Sequence, residues 1–185
     1  MKKHPIRNIL FIILGVIAAF MITGFVLLNR LTTVFSSSAG NHPQVLRSSA
    51  GSGRKALVVY QPSALSDATE KTALQIAKGL NKDGYQVTVN HPGRYLSTDL
   101  SGYAAVVFGS PVYGGKLSPV LLDYMKNVTL APSQKALVFD TGAADTSPEL
   151  DDAASLLRGG TVAKAKVIVS DSRKEQKAYR LGADL

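Results

Sequence analysis

The 185 residues include no cysteine, which excludes disulfides, thiolate metal sites, a cysteine nucleophile and a lipoprotein anchor. The formal charge of +8 suggests nucleic acid, but it is unevenly spread. Residues 1–54 hold six Lys/Arg and no acid, and residues 55–185 hold fifteen Lys/Arg against thirteen Asp/Glu, leaving about +2 there, too little for a phosphate-tracking stripe. No nucleic-acid partner is expected. His4, His42 and His91 have no metal-ligand spacing and read as solvated side chains of a leader, a linker and a loop, so no metal is expected.

In chain order, Ile9–Leu28 is twenty residues without a charge. At about 1.5 Å per residue it covers about 30 Å, one hydrocarbon core, and predicts a transmembrane helix. A cleaved signal peptide is the rival, through the small residues Ser37-Ser-Ala39, but the apolar run is too long for one and ends too far upstream. Lys2, Lys3 and Arg7 precede the span and only Arg30 follows it closely, so the positive-inside bias puts residues 1–8 in the cytoplasm. The expected location is the cell membrane, single-pass, with the following domain extracytoplasmic. Gly15, Ala19 and Thr23 form a small-residue stripe that could support a homodimer.

Residues 29–54 read as a flexible tether, because Leu31–Arg54 is rich in Ser and Gly without sustained periodicity. Its reach would be about 25–30 Å.

Residues 55–185 alternate strand and helix. Lys55–Tyr60, Ala104–Gly109 and Lys135–Asp140 are Val-rich apolar runs, as expected of central parallel strands covered on both faces. Gln86–Asn90 alternates and Ala165–Ser170 carries Lys166, which assigns both to the edges. Asp67 with Glu70 predicts a capping box, with Gly84 as the stop of that helix. Ser118-Pro119 and Ser147-Pro148 each predict a cap followed by proline in the first turn, the second helix ending at Gly159-Gly160. Ser172 with Glu175 begins a last short helix, and the crossover between Gln86–Asn90 and Ala104–Gly109 lacks a full one. The fold class is α/β: a doubly wound five-stranded parallel sheet in the order 2-1-3-4-5, preceded by one transmembrane helix. A ligand crevice then lies beyond the carboxyl ends of the strands, reached by Gln61–Ser66, Ser110–Lys116 and Thr141–Ser147.

The strand and hydroxyl loop leading into "ATEKTALQIAKGL", then "DLSGYAAVVFGSPVYGGKLSP", then "ALVFDTGA", resemble the flavodoxin family over about residues 55–185. Gly109-Ser-Pro-Val-Tyr-Gly-Gly115 is the most specific piece. The resemblance implies FMN as cofactor and electron transfer as the task. It implies that Ser63, Ser66 and Thr69 bind the phosphate, that Pro111, Val112, Tyr113, Gly114 and Gly115 form one flavin wall, and that Thr141, Gly142 and Ala143 form the other. An electron carrier or an FMN-dependent reductase would follow, partnered by a membrane-associated redox donor or acceptor such as a quinone.

The opening loop departs from the family's usual Ser/Thr-x-Thr-Gly-Asn-Thr, with Asp67-Ala68 standing where Gly-Asn is usual and two residues added. A carboxylate at a helix start competes with an incoming phosphate. The alternative is therefore a flavin-free flavodoxin-like binding or assembly module, in which the hydroxyls are turn residues, Tyr113 covers apolar surface and the Gly pair makes a turn. Ser110 is excluded as a hydrolase nucleophile because Pro111 lacks the N–H of an oxyanion hole. No dinucleotide or nucleoside-triphosphate loop is present. The sequon Asn127-Val-Thr129 is taken as chance in a chain read as bacterial.

Overall fold

The computed structural model describes residues 5–48 and 53–185. Lys2, Lys3 and His4, and most of the second Ser/Gly run, lie outside the described residues. The chain divides into two compact units, Met1–Thr33 and Val34–Leu185.

The first unit is helical. Helix α1 spans Pro5–Ser36, with its last turn already in the second unit. Ile9, Phe20 and Phe25 are exposed along it, and Asn8–Ser36 is long and apolar enough to cross a membrane.

The second unit is an α/β fold around one mostly parallel sheet. Its strands are β1 (Gln44–Leu46), β2 (Lys55–Tyr60), β3 (Gln86–Asn90), β4 (Ala105–Pro111), β5 (Lys135–Gly142) and β6 (Thr161–Ile168). They lie in the order β1-β3-β2-β4-β5-β6, so the five predicted strands take the expected 2-1-3-4-5 arrangement and a sixth is added. Strand β1 runs antiparallel to β3, pairing Val45 with Thr88. Gln86–Asn90 is therefore an inner strand and not the expected edge, while β6 is an edge.

The added strand corrects the boundary of the tether as well. Part of residues 29–54 is folded onto the sheet: His42 N–H donates to Asn90 Oδ1 at 3.0 Å, Asn90 Nδ2 to Asn41 Oδ1 at 2.8 Å, and Ser38 Oγ to the Pro92 carbonyl at 3.0 Å. Composition alone misses this because Ser and Asn serve here as hydrogen-bond partners of β3 and its loop rather than as solvated spacers. His91 is half-buried, its ring edge-to-face on Tyr60 at 4.9 Å, and burial lowers its pKa. It is thus not the solvated side chain expected.

Both faces of the sheet are covered, which is why its strands read as unbroken apolar runs. On one face Ala56, Val58, Val107 and Phe139 meet α2 (Ala68–Lys82) and α5 (Lys174–Ala183). On the other Leu57, Val59, Val106, Phe108 and Val138 meet α3 (Pro119–Lys126) and α4 (Glu149–Ser155). From His91 to Ala104 there is no helix.

The predicted caps are only partly realised. Asp67 stands at the N-cap of α2 without a side-chain capping bond; its carboxylate turns outward to Lys71 at 2.9 Å, and that hydrogen bond lowers its pKa. Ser118 precedes Pro119 as expected but gives its hydroxyl elsewhere, and α4 starts after Pro148, one residue later than predicted. Helix α4 stops at Ser155, short of Gly159-Gly160. Helix α5 starts at Lys174 with Arg173 as its N-cap, so Ser172 does not cap it.

Helices α2 and α5 meet backbone to backbone. A Cβ on Gly79 would lie 2.1 Å from the Tyr179 carbonyl oxygen, and one on Gly182 would lie 2.0 Å from that of Ile76. Neither contact can yield without the helices separating. Gly79→Ala and Gly182→Ala are each expected to cost about 2–3 kcal/mol through overpacking, against the roughly 1 kcal/mol in the opposite direction that helix propensity alone would give. Urea unfolding of the variants checks this, and a stabilised Gly79→Ala would refute the contact.

Candidate functional site

The loops at the carboxyl edge of the sheet build the crevice. The first leaves β2 at Tyr60 and turns at Gln61-Pro62, where the Gln61 backbone N–H donates to the Gly109 carbonyl at 2.9 Å and so stays with β4. Ser63 Oγ and Tyr113 Oη are 2.6 Å apart, and the Tyr113 oxygen also accepts from the Ala64 N–H at 3.1 Å. Ser66 is exposed, its Oγ accepting a long 3.4 Å bond from the Ala68 N–H. Thr69 is fully buried, with Oγ1 2.6 Å from that of Thr141. The three hydroxyls expected to converge on a phosphate are thus separated, and two of them are engaged with residues of the other loops.

The second and third loops are joined at their base. Pro111 pairs with Thr141 in the sheet, and the Val112 N–H donates to the Thr141 carbonyl at 3.0 Å. Beyond Val112 the chain turns back, Tyr113 and Lys116 exchanging backbone bonds of 3.1 and 3.2 Å. Gly114 and Gly115 occupy that turn with φ of +58° and +70°, the pair of positive values a type I′ turn demands. Gly142 is half-buried and Ala143 exposed, past the end of β5. Ser110 is buried and its hydroxyl is consumed, donating to the Pro111 carbonyl at 2.7 Å and accepting from the Ser118 N–H at 2.9 Å.

The decisive residues are ones that sequence reasoning left in the tether. The carbonyls at the end of a helix lack partners within it. Gln61, fully buried, donates Nε2 to the Val34 carbonyl at 2.6 Å and the Ser37 carbonyl at 3.0 Å. Ser118, also fully buried, donates Oγ to the Phe35 carbonyl at 2.7 Å. The Phe35 ring meets Tyr113 edge-to-face at 5.1 Å. Val34–Ser37 thus sits over the ends of β2 and β4, where the winding of the sheet reverses. One signal existed in the sequence: Phe35 is the only Phe, Tyr or Trp between Leu28 and Tyr60.

A second cluster was also missed. Asp140, fully buried at the end of β5, lies 3.0 Å from Lys166 Nζ, which is 3.6 Å from Glu149 Oε1. Lys166 is register partner of Asp140 across β5 and β6. In the sequence Lys166 reads as a mark of exposure, yet its side chain is 11 % exposed. Burial raises the Asp140 pKa, while the Lys166 ammonium and the Ser147 hydroxyl draw it back. Among the described residues no group of three His, Cys, Asp or Glu is placed to hold a metal ion.

Tested against FMN, this arrangement does not fit with Val34–Ser37 seated. The phosphate would have to break the Ser63–Tyr113 and Thr69–Thr141 pairs, and the ring would have to displace Phe35 from Tyr113.

No protein-family model and no curated protein matches the sequence. Solved structures do match the fold. A flavodiiron core from Synechocystis superposes with TM-score 0.56 at 18% identity, over 72% of this chain and 35% of that one, so this chain spans about a third of its length. Flavodoxin 2 from Bacillus cereus gives 0.54 at 21% identity, over 69% and 94% of the two chains. A two-electron reduced Megasphaera elsdenii flavodoxin gives 0.54 at 18%, over 70% and 99%. The fold is flavodoxin-like.

The buried ionic cluster sets a pH dependence. A carboxyl whose folded pKa is raised contributes stability in its protonated form, fully present below the ordinary value of 3.8 and lost as pH rises from there through the raised folded value. Lys166→Met removes the compensating cation and widens that window upward. At neutral pH it is expected to cost about 3–5 kcal/mol, the range for breaking a buried pair, and the loss should shrink as pH falls. Urea unfolding of the variant across pH 4–8 checks it, and a loss independent of pH would contradict the assignment.

Proposed function

We propose that this chain is a flavin-free binding or assembly module of flavodoxin-like fold, tethered to a membrane by the apolar helix and keeping its own Val34–Ser37 where relatives of this fold would hold a ligand. The observation that carries this reading is the capture of three chain carbonyls, those of Val34, Phe35 and Ser37, by two fully buried side chains, Gln61 and Ser118. Such donors are costly to leave unpaired, about 1–3 kcal/mol each, so the segment is held rather than merely resting there. The absence of a glycine-rich phosphate loop and the mutual pairing of Thr69 with Thr141 support it further. The charge asymmetry around the helix supports a cytoplasmic N-terminus and an extracytoplasmic domain.

A second reading keeps FMN and electron transfer, with a membrane-associated donor or a quinone as partner. It is favoured by the fold shared with the flavodoxins and by Gly114 and Gly115, beside which nothing lies within 4 Å of an added Cβ. Under that reading Ser63, Ser66, Thr69, Tyr113 and the Thr141–Ala143 wall hold the cofactor once Val34–Ser37 has moved away. The flavin would then carry the electrons, and these residues would bind and orient it.

One titration separates the two. Full-length protein in a mild detergent, mixed with FMN, is expected to leave flavin fluorescence and absorption unchanged up to high micromolar concentration. The combined variant Phe35→Ala, Gln61→Ala, Ser118→Ala frees the segment. Quenching by the unaltered protein at low micromolar FMN would establish the second reading; quenching by the variant alone would mean that the segment, not the loops, excludes flavin.

A further inference from the structure

The crossover from β3 to β4 has no helix, so the surface beside α3 is only partly covered, chiefly by Leu96 and Leu100. What remains is a hollow of about 880 Å³ between residues 93–98, α3 and the chain at Ser36 and Ser38. It shares Ser36 with the Val34–Ser37 segment but no residue with the three crevice loops. Its volume falls in the range of small-molecule sites, about 300–1,000 Å³.

The lining is a particular mixture. Tyr124 and Tyr95 spend their hydroxyls on the Ser97 and Gly40 carbonyls, at 2.7 and 2.5 Å, and so contribute ring surface beside Leu96 and Val120. The loop is fixed by those bonds and by Asp99 N–H donating to Ser97 Oγ at 3.1 Å. Three lining donors have no hydrogen-bond or ion-pair partner among the described residues: the Arg94 guanidinium and the Thr98 and Ser36 hydroxyls. Lys126 adds an ammonium shared with Asp123 at 3.1 Å. Free donors, one net positive charge and an aromatic-aliphatic wall match an acceptor-rich anion joined to a short apolar body, as in a phosphate ester.

We propose that this hollow binds a phosphate ester and that its source is the glycerophosphate headgroup of an anionic bilayer lipid. Arg94 would take the phosphate oxygens, Ser36 and Thr98 would take the remaining acceptors, and Tyr95, Leu96 and Val120 would cover the glycerol and the first methylenes. The headgroup source rests on the membrane reading above, since Ser36 closes the apolar helix eight residues after Leu28. The phosphate-ester chemistry does not.

The test is amide hydrogen exchange on the full chain in a neutral maltoside detergent, at constant ionic strength. Dihexanoyl-phosphatidylglycerol, dihexanoyl-phosphatidylcholine and glycerol 3-phosphate are titrated separately. The phosphatidylglycerol is expected to slow exchange in residues 93–98 and 120–127 while leaving β2, β4 and β5 unchanged. Arg94→Ala is expected to raise the concentration needed about tenfold, the value of one charge-assisted contact, and Arg94→Lys to restore part of it. Unchanged exchange with all three compounds, or equal protection of the Arg94→Ala protein, overturns the site. Equal protection by glycerol 3-phosphate or by phosphatidylcholine overturns the anionic-lipid source. Because the short-chain lipid reaches the hollow from solution, failure of the helix to insert in a bilayer would leave this result unaffected.

Discussion

The hydrogen-bond demand of a helix end governs how the carboxyl edge of this sheet is used. Val34, Phe35 and Ser37 present carbonyls that α1 cannot satisfy internally, and Gln61 and Ser118 present buried donors that the sheet cannot satisfy internally. Each set answers the other. Gln61 is placed to do so because its own N–H is fixed to Gly109 on the neighbouring strand, and Ser118 because its N–H is fixed to Ser110. The switch point of a doubly wound sheet is ordinarily polar and open so that a ligand can enter. Here polarity is retained and the chain itself supplies the acceptors.

The same economy runs through the neighbouring loops. Thr69 pairs with Thr141 and Ser63 with Tyr113, so hydroxyls that could face a ligand bridge one loop to another. Asp67 faces Lys71 in solvent. The carboxylate that would repel a phosphate at the start of α2 is therefore displaced sideways, while the hydroxyls that would welcome one are already occupied. Further along the edge, Asp140 and Glu149 close on Lys166 and form a buried ionic patch beside Gly142, where an added Cβ would lie 3.0 Å from the ammonium. Electrostatics in this region stabilises loops rather than leaving charge free for chemistry.

Much of the fold was legible because it rests on local signals. Val-rich runs bounded by turns marked β2, β4 and β5, and the order of the five parallel strands followed from right-handed crossovers. Strand β1 was not legible: three residues, Gln44–Leu46, carry no period, and their pairing is decided by Asn90 and Asn81 far along the chain. Lys166 misled because a lone charge in a strand reads as exposure unless its register partner is known. Asp140 is that partner on the neighbouring strand β5, and only the register of β5 against β6 brings the two side chains together. The candidate residues of the crevice lie at and beyond the carboxyl ends of β2, β4 and β5, but their mutual contacts depend on loop geometry and on Val34–Ser37, neither of which leaves a periodic trace.

Strand β1 has a consequence for self-association. A sheet border with free N–H and C=O groups invites another chain to pair with it. With β1 only three residues long, one side of this sheet offers little template for such pairing. The opposite border is eight residues of β6, where Lys164 is held by Asp151 on the helix above and Lys166 is drawn inward. Charge thus stands guard along the longer margin and brevity along the shorter, so contact between copies of this domain should proceed through side chains rather than by extension of the sheet.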